Sequence, residues 1–357
     1  LTGTARLTGT NKVTVTADDS KVSELTADRI IIATGSEPVR LPLSGLDLPE
    51  IIYSDAALEL PQVPESMLII GGGVIGVELA SVYQALGTKC IVVEMLPQIL
   101  PNLDEELAEG IRTRLAALGI EIHTSAQVQS CKLAPGGVTV QIKTPEGDLQ
   151  FAVSTVLAAV GRRPATSNLG LEEAGVERER ARIKVNEYLE TSAPGIYAVG
   201  DAIGGIMLAH VAFAEGIAAV ENALGANRPM DYKTVPSCIY TQPEAASVGL
   251  TEKQALDAGY KIKVGWFPLA ANGKALIEGQ DGFVKVIANE RYGEVLGVHI
   301  LGPHATELIA EAALALRLEA TVEEFASTIH PHPSVSEAVA EAALAVDNMA
   351  LHVPNNR

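Results

Sequence analysis

Positive charge is scarce in this sequence of 357 residues. Lysine and arginine together number 26 against 44 aspartates and glutamates, so the formal net charge at pH 7 is −18 and the isoelectric point is near 4.8. Such a chain repels the phosphates of nucleic acids and of anionic lipid surfaces. No run of basic residues counters that repulsion. We therefore expect neither a nucleic-acid partner nor a membrane partner.

Long apolar runs are missing as well. Apolar stretches such as residues 67–70 and 91–93 have the length of a buried strand. A helix that crosses a membrane needs about 20 apolar residues in a row. Nothing at the N-terminus resembles a signal peptide. We expect a cytoplasmic or organelle-matrix protein.

Cysteine is rare, and its spacing excludes a local redox or metal motif. Cys90, Cys131 and Cys238 lie 41 and 107 residues apart in the sequence. No CxxC or similar close pair occurs, so we expect reduced thiols that are mostly buried.

The chain also lacks an initiating methionine. It starts at Leu1, and residues 1–19 alternate in the manner of strands rather than opening with a capped element. We expect the chain to begin inside a domain. With 47% hydrophobic residues, its length suffices for two or three domains.

Residues 67–94 carry the clearest local pattern. An apolar strand leads into the turn GGGVIG, and a helix follows with apolar residues at Val74, Leu79, Val82 and Leu86; a second apolar strand then ends at Glu94. In GxGxxG the first glycine makes a tight turn, the second admits a pyrophosphate and the third lets helix and strand pack closely. A carboxylate 18 residues past the last glycine suits ribose hydroxyls and repels a 2′-phosphate. The pattern predicts a dinucleotide site that prefers NAD to NADP.

Two short segments repeat one another at an offset of 126 residues. ATGSEP begins at Ala33 and AVGRRP begins at Ala159. AVGRRP follows the glycine turn at Gly71 by 88 residues, so a first domain closed by ATGSEP would have to open before Leu1. The sequence contains a single GxGxxG, and we expect the first copy to lack its nucleotide-binding half.

Asp201 is a candidate ligand-binding residue, and Tyr232 marks a candidate domain boundary. Asp201 follows the apolar stretch 196–199 and precedes a helix predicted to begin near Met207, a position that suits either a ligand's sugar or polyol hydroxyls or an ordinary turn or cap residue. From Tyr232 onward, predicted strands precede predicted helices, which indicates a separate α+β domain.

The stretch IHPHPSVSEA, residues 329–338, joins two histidines to a glutamate. Ser334 and Glu337 have the spacing of a capping box, which by itself explains the glutamate. His330 and His332 could bind a metal, but no third ligand is suggested, and a buried hydrogen-bonded histidine is also plausible. A histidine oriented by a carboxylate can act as a general base that accepts a thiol proton.

Taken in order, RIIIATGSEP, GGGVIGVE, VGRRP, YAVGD, MLAH, YTQPEAASVG and HPHPSVSEA resemble the pyridine nucleotide-disulfide oxidoreductases, and within that family the dihydrolipoamide dehydrogenases. The resemblance covers the whole chain. It implies an α/β flavoprotein with a Rossmann-like NAD-binding domain at residues 40–162 and a dimerisation domain at 233–357. Residues 1–39 and 163–232 would be what remains of a second, FAD-binding domain.

The resemblance also implies an activity. Such enzymes are homodimers with FAD and a redox-active disulfide, and they oxidise dihydrolipoyl groups with NAD as acceptor. Their partners are the lipoyl domains of 2-oxoacid dehydrogenase and glycine cleavage complexes. His332 would be the base, oriented by Glu337 and acting on the disulfide of the other subunit, with His330 as support.

The cofactor-binding residues carried over by the resemblance fall into two sets. For NAD they are Gly71, Gly72, Gly73, Val74, Ile75, Gly76, Val77, Glu78, Glu94, Val128 and Gly161. For FAD they are Thr34, Gly35, Asp201, Met207, Leu208, Ala209 and His210.

The chain lacks several features of the family, and these differences suggest alternative functions. The FAD fingerprint, the CxxxxC disulfide and the lysine that Glu78 faces have no counterpart here. We therefore expect this chain alone to bind NAD but not to oxidise dihydrolipoamide; a non-catalytic, dimerising NAD-binding fragment is the alternative. Glutathione and mercuric reductases share the fold, but EMLPQIL lacks the basic residues expected for NADP, and ALHVPNNR lacks a C-terminal cysteine pair.

Overall fold

A computed structural model describes residues 1–355 and divides the chain into two compact units. The first unit combines Leu1–Arg40 with Gly161–Tyr232, and the second combines Leu41–Val160 with Lys233–Arg357. Both units contain helices and parallel strands, so the expected α/β class is confirmed. Within residues 1–355, no helix is long and apolar enough to cross a membrane.

The strands are, in chain order, β1 (Thr4–Gly9), β2 (Lys12–Thr16), β3 (Val22–Thr26), β4 (Ile30–Ile32), β5 (Ser36–Pro38), β6 (Ile51–Tyr53), β7 (Ser66–Ile70), β8 (Lys89–Val93), β9 (Glu121–His123), β10 (Gln127–Ala134), β11 (Gly137–Thr144), β12 (Gly147–Val153), β13 (Thr155–Ala158), β14 (Arg162–Pro164), β15 (Arg178–Glu179), β16 (Arg182–Ile183), β17 (Ile196–Ala198), β18 (Ser237–Ile239), β19 (Ala245–Gly249), β20 (Ile262–Pro268), β21 (Phe283–Asn289) and β22 (Val295–Leu301).

The helices are α1 (Ser54–Ala57), α2 (Val74–Ala85), α3 (Glu105–Ala117), α4 (Ala209–Ala223), α5 (Glu252–Asp257), α6 (Gly273–Ile277), α7 (Ala305–Arg317), α8 (Val322–Ser327) and α9 (Glu337–Ala345). Single 3-10 turns occur at Gly200–Ile203 and Leu269–Ala271.

The first unit is built from short sheets around two apolar clusters. Strands β1, β2 and β3 form an antiparallel sheet, as the alternation near the N-terminus predicts. Strand β4 pairs in parallel with β17. The larger cluster includes Leu7, Ile32, Leu171, Ile183 and Ile196.

The two repeated segments pair with each other. Strands β5 and β14 are antiparallel, with Ser36 opposite Pro164. The N–H of Ala165 donates to the carbonyl of Gly35 over 2.9 Å, and the N–H of Val39 donates to the carbonyl of Gly161 over 3.0 Å. Each bond maps onto the other under the offset of 126 residues seen in the sequence, which supports the repeat.

The second unit begins with the predicted dinucleotide fold. Its five-stranded parallel sheet has the order β6-β13-β7-β8-β9. Helix α2 follows the glycine turn, but the buried residues of this helix include Gly76, Val77 and Ala80, whereas Val82 and Leu86 are exposed. The face inferred from large apolar residues was therefore wrong, because a helix that approaches a sheet closely buries its small residues.

The C-terminal part of this unit is an antiparallel sheet of order β18-β19-β22-β21-β20 with α7 and α9 packed against it. The sequence predicted that strands precede helices in this part, but the helices α5 and α6 lie between the strands. Helices of six and five residues are too short to show an apolar period.

A buried lysine links these two parts of the second unit. The ammonium of Lys285 on β21 is 2.9 Å from Asp104, 2.6 Å from Glu106 and 2.8 Å from Glu252. Lys285 and Asp104 are almost fully buried. Burial raises the pKa of the Asp104 carboxyl, but the hydrogen bond from Lys285, the charges of His299 and Lys285 and the N–H of Glu252 together outweigh burial and leave this pKa below its usual value. Asp104 thus stabilises the fold above the pKa of its unfolded form and loses that effect as the pH falls.

Replacing the lysine tests this link. Lys285→Ala leaves a buried carboxylate uncompensated, and we expect the free energy of unfolding to fall by about 3–5 kcal/mol. Lys263→Ala is the control, because Lys263 forms an exposed pair with Asp347, and such a pair contributes about 1 kcal/mol or less. Urea unfolding followed by the fluorescence of Trp266, the single tryptophan, measures both. Equal losses in the two variants would contradict the link.

Candidate functional site

The glycine turn between β7 and α2 is shaped by three different contacts. Gly71 has φ of +109°, and a Cβ built there would lie 2.4 Å from the carbonyl oxygen of Ala159. A Cβ on Gly76 would lie 2.0 Å from the carbonyl oxygen of Gly71. At Gly73 nothing lies within 4 Å of such a Cβ. The outer two glycines are required by the fold itself, while the space at Gly73 is open to a ligand.

Glu94 follows β8 and holds this turn in place. One carboxylate oxygen accepts the N–H of Gly72 over 2.7 Å, and the other accepts the N–H of Leu96 over 2.8 Å. The side chain is buried. Glu94 thus has a structural role that the sequence did not indicate, and each oxygen keeps a further lone pair for a hydroxyl group.

The other residues predicted to bind NAD differ in how deeply they are buried. Val74 and Ile75 begin α2, and Val77 is fully buried in the core. Val128 lies on β10 with its side chain buried in the cluster that covers the parallel sheet, so only its backbone could reach a ligand. Gly161 belongs to the first unit, where it turns with a φ of +106° into β14.

Glu78 connects α2 to the C-terminal part of the second unit. Its carboxylate accepts the N–H of Tyr240 over 2.8 Å. Burial raises the pKa of Glu78 above its usual value, although the bond from Tyr240 lowers it. A raised pKa favours the protonated form, which can donate a hydrogen bond as well as accept one.

Asp201 lies in the first unit at the end of β17, within a network that the sequence did not predict. The hydroxyl of Ser36 donates to the Asp201 carboxylate, and Arg162 donates to that hydroxyl over 2.7 Å and to the Ser36 carbonyl over 2.9 Å. Glu215, buried on α4, accepts the N–H of Gly200 over 2.6 Å. Ser36 and Arg162 occupy equivalent positions in the two short segments that repeat at an offset of 126 residues. This equivalence was the sign in the sequence that the two residues belong together.

A cleft of about 1050 Å³ opens beside Asp201, and its walls include Gly35, Met207, Ala209 and Phe213. Its size lies at the upper end of the range for small-molecule sites. Of the residues predicted for FAD, Thr34 and His210 are exposed and Leu208 is the N-cap of α4. The helix begins at Ala209, two residues later than predicted, because Leu208 is extended with φ of −126°.

His332 and Glu337 form a direct hydrogen bond in the second unit. Nδ1 of His332 is 2.9 Å from one oxygen of Glu337, whose other oxygen accepts the N–H of Ser334 over 2.9 Å. Burial raises the pKa of Glu337, but the bonds from Ser334 and His332 leave it below its usual value. The carboxylate therefore stays ionised, and its bond to Nδ1 leaves Nε2 of a neutral His332 as a proton acceptor.

The capping box predicted at Ser334 is half formed. Glu337 reaches back as expected, but α9 begins at Glu337, and the hydroxyl of Ser334 contacts that of Ser336 over 2.9 Å instead of a backbone N–H. His330 differs from His332 in exposure. Its ring nitrogens contact the Thr328 carbonyl over 2.9 Å and Glu311 over 2.8 Å, and its side chain is 7% exposed against 81% for His332.

None of the three cysteines forms a disulfide. Cys90 and Cys131 are buried and Cys238 is half-buried. Burial raises the pKa of the Cys90 thiol to about 12 and also raises those of Cys131 and Cys238. Thiols of this kind are poor nucleophiles.

Comparison with known families matches both parts of the chain. Residues 2–216 match the model of the pyridine nucleotide-disulphide oxidoreductases, and residues 235–343 match the dimerisation domain of the same family.

Individual relatives agree. A dihydrolipoyl dehydrogenase of Bacillus subtilis is 44% identical over 91% of this chain and 69% of its own length, and one of Thermus scotoductus is 44% identical over 99% and 77%. The mitochondrial dihydrolipoyl dehydrogenase of Sus scrofa is 42% identical over 96% and 69%.

Solved structures show the same likeness. LpdA from Mycobacterium tuberculosis aligns with a TM-score of 0.85 at 32% identity, over 96% of this chain and 74% of its own. The HOCl-induced flavoprotein disulfide reductase RclA of Escherichia coli aligns with a TM-score of 0.86 at 29% identity, over 95% and 77%. From these matches and the geometry above, we conclude that the chain belongs to the pyridine nucleotide-disulphide oxidoreductase family of enzymes and is similar to dihydrolipoyl dehydrogenases.

Proposed function

We propose that the chain carries the NAD-binding, dimerising and proton-accepting parts of a dihydrolipoyl dehydrogenase. The observation on which this rests is the His332–Glu337 pair, in which an ionised carboxylate bonds Nδ1 and leaves Nε2 of an exposed imidazole to accept a proton. Oxidation of a dithiol needs such a base because the thiolate, not the thiol, attacks a disulfide. Two relatives that are 44% identical over 91% and 99% of this chain are named dihydrolipoyl dehydrogenases.

The residues at the glycine turn fit NAD. The open space at Gly73 lies at the N-terminus of α2, where backbone N–H groups and the helix dipole favour a pyrophosphate. The carboxylate of Glu94 would accept ribose hydroxyls and repel a 2′-phosphate, since it is already fixed by two backbone donors. When bound, NAD accepts a hydride.

The cleft at Asp201 fits part of a second dinucleotide, and we assign it to FAD. Asp201 would bind the hydroxyls of a sugar or ribitol, with Ser36 and Arg162 fixing the orientation of its carboxylate. Gly35 and Met207 supply close backbone and apolar walls. Bound flavin exchanges electrons between a dithiol and NAD.

The proton transfer itself can be followed atom by atom. The thiol proton of a dihydrolipoyl group moves to Nε2 of His332, which gives a thiolate and an imidazolium. Glu337 stabilises that imidazolium through Nδ1 and fixes the tautomer beforehand. The bond from Ser334 to the second oxygen of Glu337 prevents the carboxylate from turning away. His330, bonded at both nitrogens, acts as support.

The substrate and partners follow from this assignment. We propose that the dithiol is a protein-bound dihydrolipoyl group on the lipoyl domain of a 2-oxoacid dehydrogenase or glycine cleavage complex. We also propose a homodimer, because a family dimerisation domain spans residues 235–343 and includes His332. Each base would serve the disulfide of the other subunit.

One alternative has an observation in its favour. Cys90, Cys131 and Cys238 are free thiols, and burial raises the pKa of each, which disfavours the thiolate that a reactive disulfide needs. A non-catalytic, dimerising NAD-binding chain would have this property too. The likeness to a flavoprotein disulfide reductase of Escherichia coli also leaves room for a different disulfide substrate.

The NAD site can be tested at a single glycine. Gly73→Ala adds a methyl group only to the open space, so we expect NAD affinity to fall about tenfold or more while the free energy of unfolding changes by less than about 1 kcal/mol. The control is Gly273→Ala, at the start of α6, where an added Cβ also meets nothing within 4 Å. Calorimetry measures the affinity of each. Unchanged NAD binding in Gly73→Ala would contradict the assignment.

Assays on the purified chain alone test whether it binds NAD and whether it is catalytic. We expect it to bind NAD but to form no NADH from dihydrolipoamide, with or without added FAD, because His332 has no reactive disulfide to serve. Absorbance of the purified chain shows whether flavin is bound. Lipoamide-dependent NADH formation by the pure chain would overturn this expectation.

Activity can be restored in a hybrid if the proposal is right. We would mix the chain with the Bacillus subtilis dihydrolipoyl dehydrogenase carrying a glutamine in place of the histidine aligned with His332, and verify hybrid dimers by native mass spectrometry. The chain should restore lipoamide oxidation, and its His332→Gln variant should restore about 10²- to 10⁴-fold less. His304→Gln, an exposed histidine 3.2 Å from Glu278, is the control. Equal rates with His332→Gln would refute the role of the base.

A further inference from the structure

The repeat at an offset of 126 residues extends beyond the two short segments. Shifted by that offset, strands β1 to β5 coincide with β10 to β14 in the same order. The three-stranded sheets β1-β2-β3 and β10-β11-β12 are both antiparallel. Strand β4 is therefore the equivalent of β13.

Strand β13 has a neighbour on each side, whereas β4 has one. In the second unit β13 lies between β6 and β7. In the described part of the first unit, β4 pairs with β17 alone. The N–H of Ile30 donates to the carbonyl of Gly195, just before β17, over 3.0 Å. The equivalent N–H, of Val156, donates to the carbonyl of Glu50, just before β6, also over 3.0 Å. Strand β17 thus corresponds to β6, and the side of β4 that corresponds to β7 is an open edge.

The open edge of β4 directs backbone groups outward. Along a parallel strand, successive residues bond alternately to the neighbour on one side and to the neighbour on the other. Ile30 faces β17, so the N–H groups of Ile31 and Ala33 face the open edge. Ala159, the equivalent of Ala33, donates its N–H to Ile70 of β7 over 2.8 Å. Ile31 and Ala33 are exposed, and an open edge of this kind readily pairs with another strand.

Helix α4 exposes a stripe of large apolar side chains. Phe213, Ile217, Val220 and Leu224 are spaced by four, three and four residues, so they lie on one face of the helix. All four are exposed, Phe213 by 72% and Leu224 by 84%. A contiguous apolar stripe of this kind indicates a surface that another polypeptide covers.

The open edge and the stripe are two walls of the cleft beside Asp201. The walls include Ile31 and Ala33 from β4 and Ile217 and Val220 from α4. A strand paired with β4 would fill this part of the cleft and cover the stripe. The part beside Asp201 would remain for a ligand.

The second unit shows which structure follows such a strand. After β7 the chain turns at Gly71, next to the carbonyl oxygen of Ala159, and enters α2. Because Ala33 is the equivalent of Ala159, a glycine turn after the docked strand would lie at the cleft. Its backbone N–H groups and the helix N-terminus would then favour a pyrophosphate there.

The relatives have enough additional chain to supply such a segment. Leu1 is the equivalent of Gln127, and the elements β7, α2, β8, α3 and β9 precede Gln127 within residues 66–123. The 361 aligned residues make up 77% of the Thermus scotoductus enzyme, so the rest of that enzyme is longer than residues 66–123.

We propose that the open edge of β4 and the stripe of α4 form a docking surface for a strand–glycine turn–helix segment of the kind formed by residues 66–85, with its strand parallel to β4. FAD binds the cleft only after this segment has docked. The docking stands on the repeat, whereas the requirement for FAD rests on the proposed assignment of the cleft at Asp201. Two copies of this chain that shared the edge about a twofold axis would run antiparallel, unlike β7 beside β13.

Co-expression tests the docking on the full chain. The probe is the part of the Thermus scotoductus dihydrolipoyl dehydrogenase that precedes the residue aligned with Leu1, produced as a separate, affinity-tagged polypeptide. We expect the chain to co-purify with it and to form an equimolar complex by native mass spectrometry. Ile217→Glu places a charge within the stripe, so recovery of the chain should fall about tenfold or more. Val82→Glu places the same charge at an exposed apolar position of α2 and should not change the recovery.

Amide exchange measured by NMR identifies the edge that pairs. In the chain alone, we expect the amides of Ile31 and Ala33 to exchange rapidly and that of Ile30 to exchange slowly; in the complex all three should exchange slowly. Rapid exchange at Ile31 and Ala33 in the complex, or equal recovery of Ile217→Glu and Val82→Glu, would overturn the docking. Dimers of the chain alone that Ile217→Glu dissociates would also overturn it, because the stripe would then be a contact between copies.

Visible absorbance tests the requirement for FAD. We expect the co-purified complex to carry flavin and the chain alone to carry none. Flavin retained by the chain alone would overturn the requirement for docking. A complex without flavin in which Ile31 and Ala33 exchange slowly would overturn the assignment of the cleft to FAD and leave the docking intact.

Discussion

Carboxylates of glutamates that accept backbone N–H groups determine the shape of the candidate sites. Glu94 fixes the glycine turn through Gly72, and Glu215 fixes the turn before Asp201 through Gly200. Glu337 bonds Ser334 while it orients His332, and Glu341 bonds two amides while it holds His352. A carboxylate removed from water needs such donors to remain bound in one orientation. The turns between regular elements are thus fixed by side chains.

Part of the negative charge of the chain therefore serves to fix turns of the backbone. A formal charge of −18 destabilises a compact state through repulsion unless the charges are satisfied locally. At Lys285 the compensation is a buried cation shared by three carboxylates, and at Glu94 and Glu341 it is the backbone itself. The two kinds of compensation differ in their sensitivity to amino-acid substitution. A backbone donor survives every substitution except proline, whereas the lysine is lost by any substitution, and its loss leaves the buried carboxylate of Asp104 without a cation.

Much of the fold was readable from local patterns. The strand, glycine turn and helix at residues 67–85 depend on neighbours in sequence, and so do the N-terminal strands; these predictions were right. The network at Asp201 could not be read, because Ser36 and Arg162 meet only after β5 and β14 pair across 126 residues. The second role of Glu94 was hidden for a similar reason, since a bond to Gly72 spans a parallel strand pair. The buried face of α2 was misread because small residues carry a weak apolar signal.

The repeat is one case in which a long-range contact could be detected in the sequence. Each copy ends a parallel strand, turns at a glycine with positive φ, at Gly35 and Gly161, and enters a short strand that pairs with the other copy. Pairing between copies requires both to keep the same turn, because a change in one would shift the bonds from Val39 and Ala165 out of register. Arg162 and Ser36 differ in type at equivalent positions, so the copies can also diverge, and here that divergence supplies the donor that orients Asp201. A symmetric scaffold thus produces an asymmetric site.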